Sequence, residues 1–285
     1  MMNRSPLPSI FLSHGSPMIA LAPGAAGAFM RRLGPAIDAT FGRPRAIVAT
    51  SAHTLAHANA VLGGTPHAAV YDFGGFPDAL FRLRYDAPGD PALAAGVAAR
   101  LTAAGLDAPV LPDAGLDHGI WTALRHVYPD ADVPIVPVAI RPMDSPAQQL
   151  AFGAALSSLA GDGVLVLGSG SITHNLRRVF AGRRISDTGG DDEPESPDSA
   201  AFRGWMHERT LARDWDALAD YRRLAPHAVE MHPSDEHLLP FHVAAGAGGR
   251  DATPVRLHDG VSFGCLGMDA YAFGENAQAL AAALN

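Results

Sequence analysis

The chain has one cysteine, Cys265, in 285 residues, which excludes an intramolecular disulfide and any cysteine-rich zinc or iron–sulfur site. A reducing compartment fits, and Phe263-Gly-Cys-Leu-Gly267 reads as a segment carrying a small buried thiol. No run approaches the roughly 18 consecutive apolar residues of a membrane span. Met1-Met-Asn-Arg-Ser-Pro-Leu-Pro8 has no apolar region of the secretory kind, so a soluble cytoplasmic protein is expected. Basic runs are also missing. With 21 Lys+Arg against 29 Asp+Glu the formal charge is −8, which argues against nucleic-acid binding and for small substrates or protein partners. There is no H-E-x-x-H, C-x-x-C, G-x-S-x-G or P-loop, and Gly168-Ser-Gly170 lacks the spacing of a dinucleotide fingerprint. A serine stands beside His14 and near His174, but neither sits on the strand–turn–helix elbow that a serine nucleophile uses.

What remains is an ordinary globular composition, 48% hydrophobic and 18% charged, with 13 histidines whose placement carries the information. Ser9-Ile-Phe-Leu-Ser13 reads as a buried strand that stops at His14-Gly-Ser-Pro17. Arg45 to Ser51 is a second apolar strand, leading to His53. Gly163-Val-Leu-Val-Leu-Gly168 is a third, leading through Ser169-Gly-Ser-Ile-Thr to His174. In open α/β sheets the ligand crevice lies outside the carboxyl ends of strands, which brings these three histidines within reach of one another. Between the strands, helical spacing predicts helices over 24–40, Pro91–Ala104, from the Gly115–Trp121 segment towards Tyr128, Pro146–Leu159, Ala200–Ala212, on to about Leu224, and Asn276–Leu284. Further strands are expected at Val61-Leu62, Val133–Ile140, Thr253–Leu257 and Val261–Met268. The prolines of Val133–Ile140 point to an edge or bulged position.

His232-Pro-Ser-Asp-Glu-His237-Leu-Leu-Pro-Phe-His242 packs three imidazoles and two carboxylates ahead of an apolar run. It predicts a helix start with Ser234 as N-cap, where the helix dipole favours a neutral, metal-binding ring. Which of the three histidines serves is left open by the residues themselves; His242 suits packing, one turn or more beyond His237. The acidic stretch 186–199 has no apolar side chain and reads as a mobile surface loop within a single domain spanning 1–285. His67, His126, His207, His227 and His258 read as solvated or locally satisfied, and His57 does not share a face with His53. Histidines at strand ends plus one helix-start histidine suit a mononuclear site of neutral imidazoles for Fe(II) or Zn(II).

Six motifs in order, Ser13-His-Gly-Ser-Pro17, Ser51-Ala-His53, Phe73-Gly-Gly-Phe-Pro77 with Tyr85-Asp-Ala-Pro-Gly-Asp90, Gly115-Leu-Asp-His-Gly-Ile-Trp121, Gly168-Ser-Gly-Ser-Ile-Thr-His-Asn175 and Ser234-Asp-Glu-His-Leu-Leu-Pro240, together resemble the DOPA-type extradiol dioxygenases. These belong to the superfamily of the protocatechuate 4,5-dioxygenase catalytic subunit. The resemblance implies a single α/β domain around a mixed central sheet flanked by helices, with the active site at strand carboxyl ends and one divalent metal per chain. It implies metal ligands at His14, His53 and His237, an acid–base histidine at His174, and a pocket histidine touching substrate or dioxygen at His118. The activity implied is cleavage of a small catechol, DOPA or similar, by O2 to a muconic semialdehyde, with Fe(II) for activity and Zn(II) possible in the isolated protein. Asn175, Asp117 and His232 are candidates to orient the ligand rings. The chain departs from the family pattern in having Thr54 where Trp often follows the second ligand, and in the acidic 186–199 insertion. Two other readings of the same residues are a zinc-dependent hydrolase and a non-enzymatic, metal-bearing interaction protein.

Overall fold

The computed structural model describes residues 5–184 and 190–285. Among them the strands are β1 (Ser9–Ser13), β2 (Ala46–Leu55), β3 (Ala60–Leu62), β4 (Val110–Leu111), β5 (Ile135–Ile140), β6 (Val164–Gly170), β7 (Val255–His258), β8 (Val261–Ser262), β9 (Leu266–Gly267) and β10 (Ala270–Phe273). Eight form one sheet in the order β4-β3-β5-β2-β6-β1-β10-β7, and β8 and β9 form a separate hairpin. The centre, β5-β2-β6-β1, is parallel; β10 and β7 on one side and the β3–β5 step on the other are antiparallel. The sheet is therefore mixed, and its parallel core follows from apolar runs that are buried on both faces. Ile47, Ala49, Leu165 and Leu167 face one layer of helices, while Ala46, Val48, Val164 and Val166 face the other. The first layer is built from the helices Gly24–Phe41, His118–Val127 and Ala277–Leu284, and the second from Pro91–Ala103, Pro146–Ala155 and Leu239–Gly248.

Two local features place the site. A step of five positions along β2, from Thr50 to Leu55, answers a step of two along β5, from Val138 to Ile140. This bulge lifts Ser51–Thr54 out of register and turns His53 towards the carboxyl edge of the sheet. Secondly, Gly168 and Gly170 lack side chains where the 237–240 segment crosses β6. A Cβ on Gly168 would lie 2.2 Å from Pro240 O, and one on Gly170 2.1 Å from His237 O. Only a bare strand lets that backbone approach so closely, and the Ser171 amide then donates to His237 O at 2.8 Å.

Several expectations are corrected here. β5 is internal and not an edge, but β3 pairs with it only at Val138 and Ala139, so Pro137 falls past the end of that short ladder and removes no hydrogen bond from it. The helix after His232 begins at Leu239, because the Asp235 carbonyl accepts from the Leu238 and Leu239 amides and Ser234 Oγ donates to Glu236 Oε1 at 3.0 Å instead of capping. Pro240 then sits in the first helical turn, where its missing N–H is no loss. The 253–268 region yields three strands, and the sheet gains β10 beyond it. Of the acidic stretch, residues 186–189 lie outside the described residues. The remainder is anchored: Glu193 pairs with Arg183, Asp198 with Arg178, and Glu195 with the buried Arg203, and a helix starts at Pro197.

Candidate metal centre

His14 continues β1 by one residue, its amide donating to Gly170 O at 3.0 Å. Its ring is 2% exposed, with Nδ1 3.0 Å from Ser169 Oγ. Ser169 gives its single hydroxyl proton to Gly119 O at 2.6 Å. Its oxygen is then an acceptor towards His14, so the imidazole proton sits on Nδ1 and Nε2 is a bare lone pair. His237 reaches the same state by another route. Its Nδ1 is 3.1 Å from Glu236 Oε1, and an ionised carboxylate only accepts, which again leaves Nε2 bare. His53 stands between them, its Nε2 3.3 Å from that of His14 and 3.2 Å from that of His237, while its Nδ1 is turned to Asp72 Oδ2 at 3.8 Å.

Bare nitrogens at such distances repel unless a proton or a cation lies among them. Nitrogens sharing one ion through bonds of about 2.1 Å stand about 3.0 Å apart at right angles and about 3.4 Å apart in a tetrahedron. The His14–His53 and His53–His237 spacings fall in that interval, and the ligand atoms lie in two close groups, His14, His53 and His118, and His174, Glu236 and His237, so the donor set fits a divalent metal. Burial first, then the neighbouring imidazoles, holds His14 and His237 well below the ordinary histidine range. Burial and then His118 bring His53 to about 4, although Asp72 and Glu236 act in the opposite direction. All three rings are neutral at pH 7, the form that ligates metals.

His174 and His118 complete the ring of imidazoles. The His174 ring stacks on His237 with centroids 3.3 Å apart, and burial, followed by His232, lowers its pKa to about 3. His118 opens the helix His118–Val127, whose N-cap Asp117 accepts from the Ile120 amide. Its ring centroid is 3.9 Å from that of His53, and its Nδ1 faces Asp72 Oδ1 at 3.0 Å but out of line for a hydrogen bond. Asp72 also accepts from the His118 amide at 3.0 Å. Burial pushes the Asp72 carboxyl up, but the His118 contacts outweigh it and leave it below the usual range. Together these side chains line a cavity of about 240 Å³ whose remaining wall is largely Phe73, Phe76, Leu176, Val179, Phe180 and Leu266.

The five histidines singled out in the sequence are thus brought together. The three supporting candidates are placed elsewhere. Asn175 caps the short helix Leu176–Val179 and donates to Glu230 O; Asp117 accepts from Ser51 and Thr54 hydroxyls and so ties β2 to the His118 helix; His232 Nε2 donates to Ile172 O at 2.7 Å. His232 is buried beneath the turn that carries His174, and it does not take the place of His237. The groups that face the clustered histidine rings are Ser169 at His14, Glu236 at His237, and Asp72 at His53 and His118. Glu236 has a signal in its adjacency to His237; Ser169 and Asp72 have none, since their roles depend on ring orientation.

Residues 8–274 match the family model described as the catalytic LigB subunit of aromatic ring-opening dioxygenase. The chain is 31% identical over 268 residues to a 4,5-DOPA dioxygenase extradiol of Beta vulgaris, covering 93% of this chain and 96% of the relative. It is 32% identical over 276 residues to a protein of the same name from Escherichia coli K12, covering 94% of each. The crystal structure of an uncharacterized Escherichia coli K12 protein, JW3007, superposes with a TM-score of 0.73 at 26% identity, covering 94% of this chain and 100% of that one.

Proposed function

The chain belongs to the family of the catalytic LigB subunit of aromatic ring-opening dioxygenases, and from that membership we propose that it cleaves a small catechol beside its diol with O2, giving a muconic semialdehyde. The observation that supports this reading is that His53 Nε2 lies 3.3 and 3.2 Å from the Nε2 atoms of His14 and His237, whose own protons are held away on Nδ1 by Ser169 and Glu236. His14, His53 and His237 would hold one divalent ion, Fe(II) in the active protein. Bound there, the ion supplies open positions for both catechol oxygens and for dioxygen.

The chain's own residues account for the proton traffic. Burial keeps His174 neutral, so it accepts the second phenolic proton. The negative charge of a bound catecholate raises its affinity for that proton, after which it can return it to oxygen as the ring opens. His118, backed by Asp72, presents its ring to the same space and orients substrate or dioxygen. Phe73 packs edge-on against His118 at 5.5 Å and, with Phe76 and Phe180, excludes water around the aromatic ring. No helix among the described residues is long and apolar enough to cross a membrane. With a buried free thiol at Cys265, we place the protein in the cytoplasm.

The test is anaerobic loading with Fe(II) followed by air and a panel of catechols. The expected result is a yellow product and O2 consumption equal to catechol consumed. Turnover that persists without O2, or none across the panel, sinks the proposal.

A further inference from the structure

A second cavity, of about 280 Å³, adjoins the histidine cavity, and the two meet at Ser16 and Leu266. Its walls are largely apolar, with Met18, Ile19, Ala26, Phe263 and Met268, and its polar lining is Ser16, Ser262 and Asp191. Part of the acidic stretch roofs it. Asp191 Oδ2 accepts from the Ala25 amide at 2.9 Å, Oδ1 accepts from Ser262 Oγ at 2.6 Å, and the Phe263 amide donates to Gly190 O at 2.8 Å. Gly190 and Asp191 of the acidic stretch are therefore fastened over a space that shares two wall residues with the site.

Charge narrows what that space can take. Among the described residues, apart from the imidazoles, the charged side chains in the two linings are Asp72 and Asp191, and no guanidinium lines either. The sequence contains no lysine. Arg178, next to Val179, and Arg183, which donates to Val179 O and lies over the Phe263 ring, are engaged by Asp198 and Glu193. A carboxylate on the substrate would be desolvated here without a cation and among like charges. We propose that the second cavity receives the substituent of the catechol, and that the substrate class is catechols bearing an uncharged, largely apolar substituent. This rests on the ring-cleavage reading of the site.

The test compares kcat/KM for catechol, 4-alkylcatechols of increasing length, and 3-(3,4-dihydroxyphenyl)propionate against its methyl ester. Each buried methylene should raise kcat/KM roughly threefold to fourfold, and the ester should exceed the acid by about tenfold or more. Ala26→Phe fills the second cavity and Ala22→Phe narrows its exposed rim; each should lower the ratio of 4-butylcatechol to catechol at least about fivefold. Should Ala26→Phe fail to fold, Ala22→Phe decides. Arg177 stands exposed beside Leu176, and Arg177→Ala should leave the ester-to-acid ratio in place. An acid cleaved as well as its ester, an acid preference lost in Arg177→Ala, or a butyl-to-catechol ratio untouched by the filling variants overturns the inference. If catechol itself is not cleaved, the reading of the site falls instead.

Discussion

Ser169→Ala tests the protonation argument on which the centre depends. Ser169 Oγ is fully buried, accepts from His14 Nδ1 at 3.0 Å and donates to Gly119 O at 2.6 Å. Its removal orphans one buried donor and one buried acceptor. At about 1–3 kcal/mol for each orphaned group, the metal-free protein should lose roughly 2–4 kcal/mol, allowing for partial relaxation. At about 2–4 °C per kcal/mol for a chain of this order of size, that is a fall in Tm of roughly 5–15 °C. The further effect is on the metal. Without an acceptor at Nδ1 the His14 proton is no longer held away from Nε2, and loss of such a supporting partner weakens binding about 10–100-fold. Competition titration of Fe(II) or Zn(II) against a chromophoric chelator reads this directly. Thr210→Ala removes an equally buried hydroxyl, bonded to Met206 O at 2.6 Å and part of no histidine contact, and should lower Tm without moving metal affinity. A Ser169→Ala protein that melts early but binds metal within about threefold of wild type would refute the assignment of the His14 proton.

His174→Gln should keep one metal per chain by elemental analysis and lose at least about a hundredfold in kcat; retention of near wild-type turnover removes His174 from the proton path. Gly170→Ala forces a Cβ to 2.1 Å from His237 O, and urea unfolding should show a loss of about 3 kcal/mol or more together with weakened metal binding. Stability should also depend on pH through His232 and His242, whose pKa values burial lowers to about 4. Both lie below the ordinary value of about 6.5, so the unfolded chain takes up protons first. Their contribution is intact above about pH 6.5 and is lost as pH falls to about 4, by about 3 kcal/mol per histidine. Urea unfolding of His242→Leu across that interval should give a visibly shallower acid limb, and an unchanged slope would exclude His242 from it.

The strands that carry the site were legible because β1, β2 and β6 are apolar runs each ending near a histidine, and burial on both faces leaves such a run few alternatives. The 232–242 stretch was legible in composition but not in geometry. Asp235, expected in the first turn of a helix, is held by Arg222 and the Tyr221 hydroxyl, so tertiary contacts delay the helix to Leu239 and leave His237 in a turn. The prolines of Val133–Ile140 pointed to an edge or bulged position, and its place inside the sheet depends on how far β3 extends, which no local pattern specifies. Asp117 and Asn175 illustrate a different limit. Both are polar residues beside site histidines, yet both are occupied with helix starts, whereas Ser169 reaches His14 across 155 positions of sequence.

That separation has a consequence for the life of the chain. His53 and His237 are 184 positions apart and meet only where the bulge of β2 and the bare face of β6 are both in place. During synthesis the first two imidazoles emerge long before the third, and no local segment assembles the triad. Metal capture by this triad would therefore follow closure of the sheet, and by mass action a bound ion would stabilise the finished fold without nucleating it.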